Sequence, residues 1–151
     1  MAVDAAIVGR TYPPDDVYEV GREVLREFAE ATAAGGRPHP AHTDVEAARE
    51  LGHRDVVAPP TFAIVVAQRS DARLVADPAA GIDFSRVVHG EQRFTHHRPI
   101  VAGDRLVATL HVDSVRSMAG NDLVTTRNEI ATEAGEPVCT AVSMIVVRGE
   151  S

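Results

Sequence analysis

The chain contains no tryptophan, four phenylalanines and two tyrosines among its 151 residues. With so few rings, most of the interior volume must be filled by Ala, Val, Leu and Ile. Cys139 is the only cysteine. That excludes an internal disulfide and a multi-cysteine zinc site. Cys139 lies inside a strongly strand-like run, where a small buried hydrophobe is expected rather than a reactive thiol. No apolar run approaches the ~18 residues of a membrane span. The amino-terminal stretch carries Asp4 and lacks a basic segment followed by a long apolar one, so no signal peptide is expected. A cytoplasmic protein is the resulting expectation. There is no excess of positive charge either: the formal net charge is −7. A nucleic-acid partner, which requires a basic face, is therefore not expected. Glycine-rich phosphate loops are missing, so no nucleotide or other cofactor is expected.

What remains is a chain of a size that builds one core, with two halves of different character. Thr11-Tyr12-Pro13-Pro14-Asp15-Asp16 reads as an extended lead-in, because two prolines fix φ and forbid helix there. From Gly21 to Thr32, Val24, Leu25, Phe28 and Ala31 recur at helical spacing, with charged residues on the opposite side. Ala34-Gly35-Gly36-Arg37-Pro38 ends that helix. A short helix is expected after Thr43, where Thr43 and Glu46 have capping-box spacing and Gly52 suits the stop. Pro59-Pro60-Thr61 then opens a stretch, Phe62 to Ala67, that is apolar on every side. Periodicity alone allows a buried strand here. The proline start and the polar Gln68-Arg69-Ser70 tail favour a helix over about residues 59–70.

Beyond Pro78 the pattern becomes strand-like. Val87 to Pro99 reads as one strand. Leu106, Ala108, Leu110 and Val112 alternate with Val107, Thr109, His111 and Asp113 at the period of a half-buried strand. Leu123 to Thr132 and Val138 to Arg148 follow, separated by short turns that imply hairpins and an antiparallel sheet. A helix that is apolar all round, followed by such a sheet, predicts an α+β arrangement in which the sheet wraps the helix. Residues 1–151 are read as one such domain.

The segment Gly36-Arg37-Pro38-His39-Pro40-Ala41-His42-Thr43-Asp44 resembles the Gly-Asp-x-Asn-Pro-x-His-x-Asp motif of the MaoC-like (R)-specific hydratases and dehydratases. Pro40, His42 and Asp44 fall in register with it. Val88-His89-Gly90-Glu91-Gln92, His97-Arg98-Pro99-Ile100-Val101-Ala102-Gly103-Asp104 and the Val57-Ala58-Pro59-Pro60-Thr61-Phe62 stretch are similar to one subgroup. That subgroup includes actinobacterial (3R)-hydroxyacyl-ACP dehydratase subunits and fungal-type fatty-acid-synthase dehydratase domains. The resemblance covers roughly residues 8 to 148. It implies the hotdog fold and hydro-lyase chemistry on an enoyl or 3-hydroxyacyl thioester carried by CoA or acyl carrier protein. It further implies a dimer, homo- or heteromeric, with a second MaoC-like subunit.

By position, His42 corresponds to the family histidine that exchanges a proton with substrate. The family aspartate falls at Arg37, which is cationic at neutral pH and no base. The family glycine that opens the central helix falls at Pro60, which has no N–H for an oxyanion. Arg37, Pro60, Thr61 and Phe62 are the candidate substrate-binding residues, with the Thr61 or Phe62 N–H as replacement donor. Asp44 is the nearest carboxylate; its alternative role is a charge at a helix N-terminus. His39, His42, His96 and His97 lie in a loop and at a strand end with nothing in the sequence to join them, so no metal site is expected. Two functions follow. One is an acyl-chain-binding subunit working with a catalytic hotdog partner. The other is a self-sufficient hydratase or dehydratase using His42, with a hotdog thioesterase as a weaker third.

Overall fold

The computed structural model describes residues 3–149; residues 1, 2, 150 and 151 of the expected domain lie outside it. Among the described residues, three α-helices lie between two short amino-terminal strands and the four long strands of the sheet. Helix α1 spans Arg22–Thr32 and buries Leu25 and Ala29. Its Val24 and Phe28 pack half-buried on the core, as the helical spacing requires. Helix α2 spans Val45–Glu50. Its cap differs from the expected Thr43–Glu46 box. Asp44 is the N-cap and accepts from the Ala47 N–H at 2.8 Å, while Thr43 Oγ1 turns back to donate to the Pro40 carbonyl. Gly52 follows with φ +91°, the left-handed geometry that lets a chain leave a helix.

The central helix α3 spans Ala63–Ala76. It begins later and ends later than the expected 59–70. Residues 59–62 form a turn instead, in which the Phe62 N–H donates to the Pro59 carbonyl. At the other end Ser70 and Leu74 are buried, so tertiary packing carries the helix past its polar tail to the Asp77-Pro78 stop.

The sheet contains strands β1 (Thr11–Tyr12), β2 (Tyr18–Glu19), β3 (Val87–His96), β4 (Arg105–Met118), β5 (Asn121–Thr132) and β6 (Pro137–Val147). The strand order is β1-β4-β5-β6-β3, with β2 also on β4. All pairings are antiparallel. The lead-in thus opens on the short strand β1, and its prolines separate that strand from β2, which lies just beyond it. Strand β3 stops at His96, short of the expected Pro99. The predicted inward set Leu106, Ala108, Leu110 and Val112 is buried. A register shift between His89 and Glu91 bends β3. Gly90 sits in that bend, where a Cβ would lie 2.9 Å from the Met144 Cε.

The sheet closes on α3 through two apolar clusters. Around its N-terminal half, Phe62, Ala63, Val66 and Ala67 meet Ala108, Ile130 and Ala141. Phe28 packs edge-on against Phe62 with ring centroids 5.3 Å apart. At its C-terminal end, Leu74 meets Leu110, Val112, Val124 and Val147. Between the clusters runs a polar belt on consecutive inward positions of β5 and β6. Buried Thr126 and Asn128 both donate to Asp71 Oδ1, and Ser143 Oγ donates to Gln92 Oε1 at 2.6 Å. Asn128 is fully buried. By directing its amide at Asp71 it leaves its own Oδ1 without a partner, a cost of about 1–3 kcal/mol.

Asp104, only 3% exposed, ties the start of β4 to the loops. It accepts from Arg98 at 2.9 and 3.1 Å, from the Val101 N–H at 2.9 Å and from Arg54. Burial pushes the Asp104 carboxyl up, but Arg98, the Val101 N–H and Arg54 outweigh burial and hold it below the usual carboxylate range. A carboxylate depressed on folding stabilises above its unfolded pKa, and that stability is lost as pH falls through the lower folded value. Asp104→Asn is therefore expected to lower urea stability at neutral pH by about 2–3 kcal/mol. The variant is also expected to lose less further stability than the parent below about pH 4. Cys139 is buried in the core, and burial pushes its thiol up to about 11. Iodoacetamide at about pH 8 is expected to leave Cys139 unmodified in the folded protein and to alkylate it in urea.

Candidate active site

The loop that follows α1 is held by its own backbone. Pro40–His42 makes one tight 3-10 turn. The Thr43 and Asp44 N–H groups both donate to the Pro40 carbonyl, at 3.0 and 2.8 Å. Arg26 Nε pins the loop to α1 through the Thr43 carbonyl at 2.8 Å. The loop is then fastened to the segment ahead of α3, because the Val57 N–H donates to the Ala41 carbonyl at 3.0 Å. The Ala58 N–H donates in turn to the Ile100 carbonyl at 2.8 Å. Three distant pieces of chain (residues 39–42, 57–60 and 96–100) are thus laced together at the start of the central helix.

His42 Nδ1 lies 2.8 Å from the Val57 carbonyl oxygen. A carbonyl only accepts, so Nδ1 carries the proton and donates. In the neutral ring Nε2 is then the basic nitrogen, the one able to take a proton. His39 has the opposite arrangement. Its Nδ1 accepts from the Ala41 N–H at 3.2 Å, so Nε2 bears the proton. The two rings sit nearly edge-on, with centroids 6.0 Å apart. His96 Nε2 donates to the Pro60 carbonyl at 2.7 Å and holds the turn that precedes α3. His97 Nε2 lies 3.0 Å from Thr140 Oγ1, whose hydroxyl donates to Glu129.

These side chains line a cavity of about 580 Å³ with Ala41, Leu51, Val57, Pro59 and Ile100. Its polar lining is His39, His42, His53, His96, His97 and Arg98, with no carboxylate among the lining residues. Arg98 is neutralised by Asp104 and Glu136. An apolar cleft with a few convergent polar groups suits a small-molecule ligand. Among the described residues no three His, Cys, Asp or Glu side chains converge to hold a metal ion.

The sequence-predicted residues divide. His42 lines the cavity, and so does Pro60. Thr61 is exposed at the following position, and its N–H makes no hydrogen bond among the described residues. Phe62 offers no free donor: its N–H is engaged by Pro59 and its ring is fully buried. Arg37 is exposed on the loop and Asp44 caps α2; neither lines the cavity. Sequence reasoning kept His39 and His42 apart from His96 and His97, whereas the fold brings both pairs to one cleft. It overlooked His53 entirely, and nothing local to His53 would have singled it out. The part His96 plays at Pro60 was also missed, since the two residues are far apart in the chain and meet only through the sheet.

Residues 6–141 match the family described as FAS1-like, dehydratase domain region. A UPF0336 protein of Saccharopolyspora erythraea is 54% identical over 149 residues, spanning 99% of this chain and 94% of that one. One from Thermobifida fusca is 44% identical over 151 residues, spanning 100% and 97%. Among solved structures, a chain of the C-terminally truncated HadBC complex, a (3R)-hydroxyacyl-ACP dehydratase of Mycobacterium tuberculosis, superposes with a TM-score of 0.84. It is 36% identical, with 97% of this chain and 99% of that one covered. A MaoC-like dehydratase gives a TM-score of 0.85 at 40% identity, with 95% of this chain and 43% of that one covered. With its antiparallel sheet curled on one central helix and its histidine loop at the start of that helix, this chain belongs to the FAS1-like dehydratase domain region family, on the MaoC-like hotdog fold.

Proposed function

We propose that this chain binds the acyl group of a 3-hydroxyacyl or enoyl thioester, on CoA or acyl carrier protein, as one subunit of a two-hotdog dehydratase. The partner subunit supplies the carboxylate that the chemistry needs. The observation that carries this reading is the composition of the cavity at the start of α3: histidines, an ion-paired arginine and no carboxylate. Interconverting a 3-hydroxyacyl and an enoyl thioester needs a base for the C2 proton and an acid for the departing hydroxyl. It also needs a donor for the thioester oxygen. Here the family carboxylate position is an exposed Arg37 outside the cavity, and the helix-opening N–H is absent at Pro60.

The sheet supports a partner. Strand β3, ten residues long and mostly exposed, ends the sheet on one side. An uncovered edge of that length is one that natural proteins pair or protect. The similar chain of the HadBC complex was solved with a second subunit.

One observation favours the self-sufficient alternative. The hydrogen bond to Val57 leaves His42 Nε2 as a base in a cavity where His39 offers an N–H; Thr61, next to the lining residue Pro60 but not itself in the lining, has an unused backbone donor. The two readings separate in one assay, hydration of crotonyl-CoA followed by loss of enoyl absorbance. It is run with the chain alone and mixed with a hotdog chain carrying an intact Gly-Asp-x-Asn-Pro-x-His motif. The expected result is turnover only in the mixture, unaffected by His42→Ala in this chain. Turnover by the chain alone, reduced about 10²–10⁴-fold by His42→Ala, would establish the alternative. Release of free CoA thiol without hydration would instead establish a thioesterase.

A further inference from the structure

A second cavity, also of about 580 Å³, lies between the C-terminal half of α3 and strands β3, β5 and β6. It shares no lining residue with the histidine-lined cavity. Its walls are largely aliphatic, including Leu74, Val75, Val87 and Ile145. Phe84, 74% exposed, is also part of its lining. The polar belt between the two apolar clusters crosses this cavity and contributes Asp71, Thr126 and Ser143 to its lining, together with His89.

The hydrogen-bond directions in that belt are one-sided. Asp71 Oδ1 takes the Asn128 amide at 2.9 Å and the Thr126 hydroxyl at 3.2 Å. Asp71 Oδ2 accepts no hydrogen bond among the described residues, and Asp71 makes no ion pair there. Ser143 directs its proton to Gln92, leaving its oxygen able to accept. His89 Nε2 faces the Glu91 carbonyl at 3.0 Å, so Nε2 donates and Nδ1 is left with a lone pair. Three acceptors therefore line a chamber that is otherwise mostly apolar. Burial, the largest influence, pushes the Asp71 carboxyl above its ordinary range, against the Asn128 and Thr126 hydrogen bonds and the nearby His89 and Arg73. A donated hydrogen bond would restore part of the solvation that this carboxylate has lost.

We propose that this cavity is a binding site for an aliphatic ligand bearing a hydroxyl group, with the hydroxyl donating to Asp71 and the hydrocarbon lying on Leu74, Val75, Val87 and Ile145. A plain hydrocarbon chain would leave the acceptors unpaired and bind less tightly. The site is independent of the dehydratase reading, because it uses other residues and its test needs no turnover.

The test compares two isomers of equal size, octan-1-ol, which donates a hydrogen bond, and 1-methoxyheptane, which only accepts. Binding to the full chain is measured by titration calorimetry and by shifts of methyl resonances from Val75, Val87 and Ile145. Octan-1-ol is expected to bind roughly tenfold or more tightly than the ether, the ratio of one charge-assisted hydrogen bond. Asp71→Asn is expected to erase that preference, and Val75→Trp, which fills the chamber from the helix, to abolish binding of both. Should Asp71→Asn fail to fold, the two isomers on the parent chain and Val75→Trp still decide the matter: the parent is expected to prefer the alcohol, and Val75→Trp to abolish binding of both. Equal binding of both isomers by the parent chain, an undiminished preference in Asp71→Asn, or shifts confined to residues around His42 would overturn the proposal.

Discussion

A helix with apolar residues on nearly every face cannot rest on a surface, and the remaining elements are arranged around that constraint. Phe62, Ala63, Val66 and Ala67 are buried at its start and Leu74 at its end. The sheet must therefore curl far enough to cover both halves, and α1 must close the side that the sheet leaves open. Small residues at Ala63 and Ala67 let β4, β5 and β6 approach closely, where Ala108 and Ala141 face them. In a chain without tryptophan such close approach substitutes for bulk: alanine against alanine brings backbones together and leaves few voids. The loops inherit their positions from this packing, since the segment before the helix must leave it where Val56 and Val57 meet Ile100 to Ala102.

The consequence for chemistry is that the start of the helix becomes a meeting point. The loop of residues 39–42 reaches it from α1, and residues 96–100 reach it from the end of β3. Every link between them is a backbone hydrogen bond or a ring nitrogen on a carbonyl, so His42 and His96 are held in defined tautomers without a carboxylate to orient them. That differs from the arrangement in which an acidic residue shares the loop. Arg37 does not replace such a residue in the cavity; it points the loop's charge outward and leaves the cleft nearly neutral. A cleft of that kind suits an apolar acyl group more readily than proton transfer, which is why the subunit reading is preferred.

The polar belt is the other departure from a uniform core. Inward positions on β5 run Val124, Thr126, Asn128, Ile130, and on β6 Ala141, Ser143, Ile145, so two adjacent strands turn polar at the same level. Asp71 meets them from the helix. Such coincidence across three elements is costly unless each group is matched, and one carbonyl oxygen of Asn128 is left unmatched. Sequence reasoning ended the helix at Ser70 and so never asked which way Asp71 faces. Extending the helical register would have placed it with Ala67 and Leu74 on the covered side.

What the amino-acid order determined alone is whatever depends on near neighbours. The all-round apolar stretch after the proline pair, the alternation in β4, the turns between strands and the histidine loop are local patterns, and each was legible before the fold was known. Element ends were less so, because the Asp44 cap and the run of α3 to Ala76 depend on which groups find partners or cover. The tertiary structure decided the strand order that leaves β3 at an edge and the gathering of five histidines in one cleft. It also decided the inward turn of Asp71. Those relations join residues tens of positions apart, and they exist only once the sheet has chosen its register and curled around the helix.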